Sequence, residues 1–337
     1  MPTVAVGSLG GTITMTSTPG RTGVTPTADA DDLVATVPGL SEVAEVRAET
    51  LLSAPGASLT FEDLLRCLVW AREAVDSGAA GVVLVQGTDT LEESAFLLDL
   101  FWDRPNPLVL TGAMRPPQQA GADGPANLLA AVRLAAAPLA RDTGVLVTLN
   151  DEVHAASRVR KTDTSALHAF VSPGWGPVGR VVEGRVVLPG HVLRPRPLPV
   201  PDRDRGIRVA LLESCLDDRG ELISLVATSG FQGVVLAALG AGHVSQPAAE
   251  AVSGAVPQMP VVVSSRTGAG RTLTGTYGFP GSESDLRSRG AVLSGWLDAR
   301  KARLLLWAVL TLGYDDRAIR QEFQRRGAQG GDRPSDA

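Results

Sequence analysis

Short apolar runs alternate with longer amphipathic stretches along the first 150 residues. The run Gly81–Val85, GVVLV, has no polar position, which is typical of a parallel strand covered on both faces. Four further runs have the length and β-branched content of strands: Thr3–Ser8, Glu42–Leu51, Pro107–Leu110 and Val145–Leu149. The pattern predicts a mostly parallel sheet in which strands and helices alternate along the chain.

Helical periodicity fills the intervals between these runs, and several predicted helices begin at recognisable caps. Thr60 precedes an amphipathic stretch and Asp63 follows three residues later, which is the spacing of a capping box. Thr90 and Glu93 repeat that spacing, and Asp123 precedes a helix that has a proline in its first turn. The predicted helices of this half are Asp29–Thr36, Phe61–Ser77, Leu91–Leu100 and one that begins after Asp123.

A stretch with four prolines and alternating charge, HVLRPRPLPVPDRDRG, interrupts the alternation and predicts a stiff linker over residues 191–207. It divides an N-terminal domain, residues 1–190, from a smaller α/β domain over residues 208–325, and residues 326–337 are expected to be disordered. The elements predicted for the second domain are strands Val209–Leu212, Gly233–Ala237 and Val261–Ser264, and helices Leu222–Ser229, Pro247–Ser253, 299–312 and 315–325. The predicted fold class is therefore α/β, with a larger, doubly wound N-terminal domain and a smaller C-terminal one.

Composition limits the function classes. The 337 residues suit two domains, and a net charge of −5 gives no electrostatic footprint for nucleic acid or an anionic membrane. Cys67 and Cys215 lie far apart in apolar surroundings, so we expect two reduced core residues rather than a disulfide. No apolar run approaches the roughly 20 residues of a membrane span, and the first residues do not resemble a signal peptide. These features predict a cytoplasmic protein.

Glycines and hydroxyls concentrate where the predicted strands end. Gly10–Thr12 follows the first strand, Gln86–Thr90 follows GVVLV, and Thr111–Met114 follows the next strand. Ligands of open α/β sheets bind beyond the carboxyl ends of the strands, so these loops should converge. Lys161 lies near the next strands, and Lys301 is the only other lysine in an arginine-rich chain. Threonines with a lysine and an aspartate can form a nucleophile and its base, because lysine, unlike arginine, can lose its proton.

Each of these features also has a purely structural explanation. Threonine and aspartate are common in turns and helix caps, and both Asp89 and Thr90 fit that description. The fragment GSLGGT does not match the phosphate-binding glycine motifs, and no G-x-S-x-G motif occurs. No metal-ligand spacing is formed by the four histidines, His154, His168, His191 and His243. The coincidence of four such loops at strand ends nevertheless favours a catalytic site.

Four ordered segments resemble the bacterial-type L-asparaginase family: GSLGGTITMT, VQGTDTLEESAFLLD, TGAMRP with GADGPANLLAA, and VRKTDTSALHAF. The similarity continues through PVVVSSRTGAG and GWLDARKARLLL, so it covers most of the chain. It implies hydrolysis of the side-chain amide of L-asparagine to aspartate and ammonia, with glutamine accepted by some members. It also implies no metal, no cofactor, and a homodimer or homotetramer in which a neighbour's second domain completes each site.

The resemblance further implies roles for individual residues. Thr12 would be the nucleophile that forms an acyl-enzyme, and Thr88, Asp89 and Lys161 would form the second catalytic group. Asp89 would also bind the α-ammonium of the substrate, while the backbone of Thr88 would hold the oxyanion and that of Ala113 would meet the amide. The other expected substrate contacts are Gly11, Gly56, Ala57, Ser58 and Gly87.

The mobile loop after the nucleophile differs from the pattern of the family. Many members carry an activating tyrosine there, whereas residues 13–28 contain none. Tyr277, in the second-domain segment TGTYGFPG, is the candidate replacement, although a packing role would also explain it. Thr14, Thr16 and Thr18 would belong to a polar lid.

Two other functions are compatible with the motifs. The chain could be the amidase subunit of a tRNA-dependent amidotransferase, but such subunits usually carry an additional N-terminal domain, whereas the first strand here starts at residue 3. It could also be a catalytically silent sensor that binds asparagine or aspartate. The complete set of Thr12, Thr88, Asp89 and Lys161 argues against a silent protein.

Overall fold

The computed structural model describes residues 1–17, 24–26, 29–190, 192, 194–201 and 205–328. The chain divides into two compact units, Met1–Val192 and Leu193–Ala337. The predicted linker and the predicted tail lie partly outside the described residues. Within the described ranges, no helix has the length and apolar character needed to cross a membrane, and no three His, Cys, Asp or Glu side chains are grouped as metal ligands.

The first unit contains twelve strands and five helices within the described residues. The strands are β1 (Thr3–Ser8), β2 (Met15–Ser17), β3 (Val24–Pro26), β4 (Glu45–Thr50), β5 (Gly81–Val85), β6 (Leu108–Thr111), β7 (Val145–Leu149), β8 (Glu152–Ala155), β9 (Arg160–Lys161), β10 (Phe170–Val171), β11 (Gly179–Val182) and β12 (Arg185–Val187). The helices are α1 (Ala30–Ala35), α2 (Leu40–Val43), α3 (Phe61–Asp76), α4 (Leu91–Phe101) and α5 (Gly124–Ala136). Short 3₁₀ helices form at Thr12–Thr14, Gly56–Ser58 and Pro138–Ala140.

Eight of these strands form one sheet in the order β12-β11-β8-β7-β6-β5-β1-β4. The five strands β4, β1, β5, β6 and β7 pair in parallel with one another, and β8, β11 and β12 extend the sheet from β7 by antiparallel pairing. The carboxyl ends of β1, β4, β5, β6 and β7 therefore lie at one edge. Two antiparallel pairs, β2–β3 and β9–β10, stand apart from this sheet.

Helices cover both faces of the parallel part of the sheet. Val83 and Val85 of β5 belong to an apolar cluster that also includes Leu128 of α5. Leu84, on the opposite face, lies near Gly7 and the α3 residue Trp70. All residues of β5 are buried, as its continuous apolar sequence predicts, and each such valine or leucine contributes about 1.5–3 kcal/mol through burial. The predicted doubly wound architecture is confirmed.

The second unit contains the strands β13 (Val209–Glu213), β14 (Gly233–Ala238), β15 (Val261–Ser265) and β16 (Val292–Leu293). Its helices are α6 (Glu221–Thr228), α7 (Gln246–Ala255), α8 (Glu283–Ser288), α9 (Ala299–Thr311) and α10 (Asp316–Gly327). The four strands form a parallel sheet in chain order. Val234 and Leu236 pack with α6, α7 and α8, whereas Gly233 faces Leu306 of α9 on the other side. The smaller α/β domain is therefore also confirmed.

Several local predictions were wrong. The strand expected at Glu42–Leu51 starts only at Glu45, because Gly39, with φ of 77°, opens the short helix α2. Cys67 is buried, and burial raises the pKa of its thiol to about 11, but Cys215 is exposed and is no core residue. Arg326, expected in the disordered tail, lies in α10 and forms a buried ion pair.

Only one of the two predicted capping boxes forms. At α3, the Thr60 hydroxyl accepts the backbone N–H of Asp63, and the Asp63 carboxylate accepts that of Thr60. At α4, the Thr90 side chain makes no capping bond and instead donates to the carbonyl oxygen of Gly56, 2.8 Å away. A tertiary partner has replaced the local one, which the sequence spacing alone could not indicate.

Candidate functional site

The first loop of the site follows β1 and contains Thr12. Gly10 and Gly11 both have φ of 93°, a left-handed conformation that side chains rarely adopt. A Cβ on Gly11 would also collide with the backbone of Gly87, so the loops after β1 and β5 touch main chain to main chain. Because Thr12 and Thr88 each follow one of these glycines, the contact brings the two threonines into one neighbourhood. The side chains of Thr14 and Thr16, and the whole of Thr18, lie outside the described part of the structure.

A third loop, after β4, packs on the same glycine. A Cβ on Gly87 would lie 2.9 Å from the backbone nitrogen of Gly56, and the bond from Thr90 to the Gly56 carbonyl holds the loops together. Gly56 is buried, whereas Ala57 and Ser58 are exposed. The structure thus places the predicted substrate-binding segment beside the predicted catalytic loops.

Thr88, Asp89 and Lys161 form a hydrogen-bonded cluster. The Lys161 Nζ atom lies 2.8 Å from Thr88 Oγ1 and 3.4 Å from Asp89 Oδ1. Thr88 is buried, while the Asp89 side chain is 63% exposed and can meet a solute. The arrangement offers a shielded hydroxyl in contact with an amine, which can move a proton, beside an accessible carboxylate, which can bind a cation.

A loop that contains Ala113 forms the next part of this edge. Ala113 is fully buried, and the Asp123 carboxylate accepts the backbone N–H groups of Met114 and its neighbour at 2.9–3.1 Å. Asn127 donates to the carbonyl that precedes Ala113, at 3.0 Å. Asp123 therefore holds this loop and makes no capping bond to α5, so the prediction of a cap was wrong.

Glu92 was missed by the sequence reasoning. It is buried in the first turn of α4, and its carboxylate accepts the backbone N–H of Lys161. The sequence did contain a sign of its burial. Ala95 and Phe96 lie three and four residues further along the helix, on the same face as Glu92, and helical periodicity places that face in the core. A carboxylate on a buried helical face needs a polar partner.

Tyr277 lies in the second unit, where it is half-exposed. Its ring meets the ring of His243 edge-on, with centroids 4.9 Å apart, and its backbone N–H donates to Glu283 Oε1 at 2.8 Å. Glu283 is fully buried and also lies 3.0 Å from His243 Nε2. These contacts fix the position of Tyr277 within its own unit and leave an activating role as a prediction.

Comparisons with known proteins agree on one family. The model of the asparaginase N-terminal domain matches residues 3–193, and the model of the glutaminase/asparaginase C-terminal domain matches residues 208–323. A probable periplasmic L-asparaginase of Haemophilus influenzae is 34% identical over 299 residues, which cover 87% of this chain and 84% of that protein. L-asparaginase 2 of Escherichia coli is 30% identical over 338 residues, which cover 96% and 93% of the two chains.

The fold has a counterpart among solved structures. The crystal structure of a probable cytoplasmic L-asparaginase from Campylobacter jejuni is similar with a TM-score of 0.86 and 31% identity, covering 96% of this chain and all of the other. Taken together, the two domain models match nearly the whole chain, and the two relatives and the Campylobacter jejuni structure each cover 87–96% of it. The chain therefore belongs to the asparaginase family.

Proposed function

We propose that this protein hydrolyses the side-chain amide of L-asparagine to L-aspartate and ammonia, with Thr12 as the nucleophile. The observation that carries the proposal is the contact of Lys161 Nζ with both Thr88 Oγ1 and Asp89 Oδ1, beside the loop of Thr12. The names of the relatives, L-asparaginases and a glutaminase-asparaginase, support the substrate class. The same contact disfavours a silent sensor, which would need no amine against a buried hydroxyl.

The proposed reaction has two steps. The Thr12 oxygen attacks the amide carbon, its proton leaves towards the Thr88–Lys161 pair, and the carbon–nitrogen bond breaks as ammonia departs with a proton. Water then attacks the Thr12 ester, which releases aspartate and restores the hydroxyl. A threonine hydroxyl is a weak nucleophile, so a positioned proton acceptor is essential for both steps.

The substrate is proposed to bind through backbone and carboxylate groups of the same edge. The exposed Asp89 carboxylate suits the α-ammonium, and the exposed Ser58 of the third loop suits the α-carboxylate. Gly11, Gly56 and Gly87 carry no side chains to block the approach, and the N–H groups near Thr88 and Ala113 are proposed to meet the oxyanion and the amide. No resident metal or cofactor takes part in this scheme.

The test is ammonia release by the purified protein with L-asparagine, L-glutamine or buffer alone. We expect release with asparagine, and a fall of at least ~10²-fold in Thr12→Ala and in Thr88→Val, the low end for positioned proton-transfer groups. Thr12 lies in a one-turn 3₁₀ helix and Thr88 in a loop, and both lie outside the strands and α-helices of the core, so the variants should stay within a few degrees of the parent's melting temperature. A folded protein that releases no ammonia from either amide would leave the sensor as the better explanation, and near-normal release by Thr12→Ala would remove it as the nucleophile.

Two further properties are proposed on the family's pattern. The chain is proposed to form a homodimer or homotetramer, which light scattering of the eluting protein would test. A cytoplasmic location is also proposed; the similar proteins include a probable cytoplasmic and a probable periplasmic L-asparaginase. Fractionation of cells that express the natural gene would decide between the two compartments.

A further inference from the structure

Lys161 is held by a very small element. Strand β9 contains only Arg160 and Lys161, and it pairs with the two residues of β10, with Lys161 opposite Phe170. A two-stranded pair of this length is marginal by itself in water. The position of the Lys161 amine therefore depends on contacts between this pair and the rest of the first unit.

One such contact reaches Lys161 itself. Its backbone N–H donates to Glu92 Oε2, and Glu92 is 1% exposed. Helix α4, which carries Glu92, packs on β6 and β7 of the large sheet, so the carboxylate is part of a fixed frame. The helix starts immediately after the loop that contains Thr88 and Asp89, which are the two partners of the Lys161 amine.

The contact closes a ring of interactions around the cluster. From Thr88 the chain runs four residues to Glu92, the Glu92 carboxylate holds the Lys161 backbone, and the Lys161 side chain returns to Thr88. Burying a carboxylate is costly, and the cost is offset only where the carboxylate is hydrogen-bonded, as it is to the Lys161 backbone N–H. The bond has a second effect beyond stability, because it fixes the backbone position from which the long, flexible Lys161 side chain extends.

We propose that Glu92 is a positioning residue: its buried carboxylate fixes the backbone of Lys161, so that the amine meets Thr88 and Asp89 in one arrangement. The proposal rests on the proposed function, in which Lys161 takes part in proton transfer. Glu92 is 1% exposed and therefore closed to a substrate, so its effect should appear in kcat and scarcely in KM.

The chain offers a matched control on the same helix. Asp99 also accepts a strand backbone N–H, that of Val145, at 3.0 Å. Asp99→Ala removes a bond of the same kind from α4 but leaves the Lys161 pair untouched. A purely structural role for Glu92 would give both variants the same behaviour: lower melting temperatures and a normal rate at a temperature where both are folded.

The experiment compares Glu92→Met, Glu92→Gln and Asp99→Ala in ammonia release. Methionine keeps the volume without an acceptor oxygen, so we expect kcat to fall at least about tenfold with KM changed less than about threefold. Glutamine keeps an acceptor, so its kcat should stay within about threefold of the parent, and Asp99→Ala should stay within about twofold. A Glu92→Met rate equal to that of Asp99→Ala, or a Glu92→Gln rate as low as that of Glu92→Met, would overturn the proposal. If Glu92→Met does not fold, Glu92→Asp, one methylene shorter, takes its place with the same expected fall.

A second readout does not depend on activity. Hydrogen exchange at the Lys161 amide should speed up at least about tenfold in Glu92→Met and remain unchanged in Asp99→Ala, because only the first variant frees that N–H. Unchanged exchange in Glu92→Met would overturn the proposal. Accelerated exchange in a protein whose parent form hydrolyses neither amide would instead refute the proposed function while leaving Glu92 as the residue that holds Lys161.

Discussion

The two lysines of the chain lie in very different surroundings. Lys161, in the first unit, is partly accessible and shares its amine between the Thr88 hydroxyl and the largely exposed Asp89. Lys301, in the second unit, is 1% exposed, and its Nζ lies 3.0 Å from Asp298 Oδ2. One amine therefore lies beside a hydroxyl and an exposed carboxylate, and the other is buried against the carboxylate of Asp298.

The difference is the one expected between a pair proposed to act in catalysis and a pair that supports a helix. Asp298 is also the N-cap of α9 and accepts the backbone N–H groups of Arg300 and Lys301, so the buried pair completes the start of a helix. Asp89 has no such role, because the N-cap position of α4 belongs to Thr90. Under the proposed function, Lys161 is the lysine that moves a proton, whereas Lys301 serves as a compact buried cation.

The strongest test of this comparison is Lys161→Arg, which keeps the charge but cannot release a proton. We expect kcat to fall at least ~10²-fold, as for the loss of a positioned general base, with little change in melting temperature. Steady-state ammonia release and thermal unfolding would be measured on the same preparation. Half-normal activity would mean that Lys161 acts only as a fixed positive charge, and its place in proton transfer would then have to be abandoned.

Lys301→Met should have the opposite signature, with stability lost and turnover kept. Removing one partner of a fully buried pair costs about 3–5 kcal/mol, and since Asp298 is partly exposed and still caps α9, we expect about 2 kcal/mol. Urea unfolding gives the free energy, and kcat should stay within about twofold of the parent. The double variant Lys301→Met with Asp298→Ser keeps a cap without the unpaired charge and should recover part of the loss. If Lys301→Met unfolds like the parent, the pair has no structural value.

Acid should weaken the first unit through His154, which lies near the support of Lys161. Burial, with a smaller contribution from the charge of Arg180, lowers the pKa of His154 to about 4, and its Nδ1 lies 3.0 Å from the hydroxyl of Ser172, just after β10. The folded state thus favours the neutral ring. The stabilisation is complete above the unfolded pKa of about 6.5 and is lost as pH falls from there towards 4, by about 3 kcal/mol in total.

The measurement is the free energy of unfolding between pH 7 and pH 4 for the parent and for His154→Gln. Carboxylates titrate in the same range in both proteins, so the difference between the two curves isolates the histidine. Glu152, whose Oε2 lies 3.6 Å from His154 Nε2, would reduce the effect by favouring the charged ring. Parallel curves for the two proteins would show that His154 does not titrate on unfolding.

The parts of the molecule that sequence predicted are those decided by local rules. The strand Gly81–Val85 and the capping box of Thr60 depend only on neighbouring residues, and both form as expected. The β9–β10 pair is only two residues long on each side, too short to show a periodic pattern. The bond between Glu92 and the Lys161 backbone joins residues 69 positions apart, and one sequence gives no periodic signal for such a contact. Thr90 shows how a distant contact can replace a local one. Its spacing from Glu93 predicts a capping box, but its hydroxyl instead donates to the carbonyl oxygen of Gly56.

For the candidate site, the motif order predicted which residues would meet, and the structure adds what holds them. Lys161 was singled out because it is rare in an arginine-rich chain, and its contacts with Thr88 and Asp89 agree with that choice. The positive φ of Gly11 and its contact with Gly87 explain the double glycine before Thr12. Ser58 has no contact that distinguishes its predicted role from that of an ordinary exposed loop residue.

The smallest effect is expected for Tyr277→Phe, which asks whether the second unit supplies chemistry after all. The ring packs on His243 and the backbone N–H on Glu283, so removing only the hydroxyl should cost at most about 1 kcal/mol of stability. If the hydroxyl polarises Thr12 during attack, turnover should fall about tenfold, which is the effect of about 1.4 kcal/mol in the barrier. Tyr314→Phe is the matched control, because Tyr314 lies between α9 and α10, where its N–H bonds to the carbonyl of Val309. Turnover and melting temperature would be measured for both variants.

Equal, small losses of turnover would keep the division between a chemical first unit and a structural second unit, with Thr88 and Lys161 as the proton route to Thr12. A loss confined to Tyr277→Phe would break that division, because a half-exposed aromatic group of the second unit would then act in the reaction.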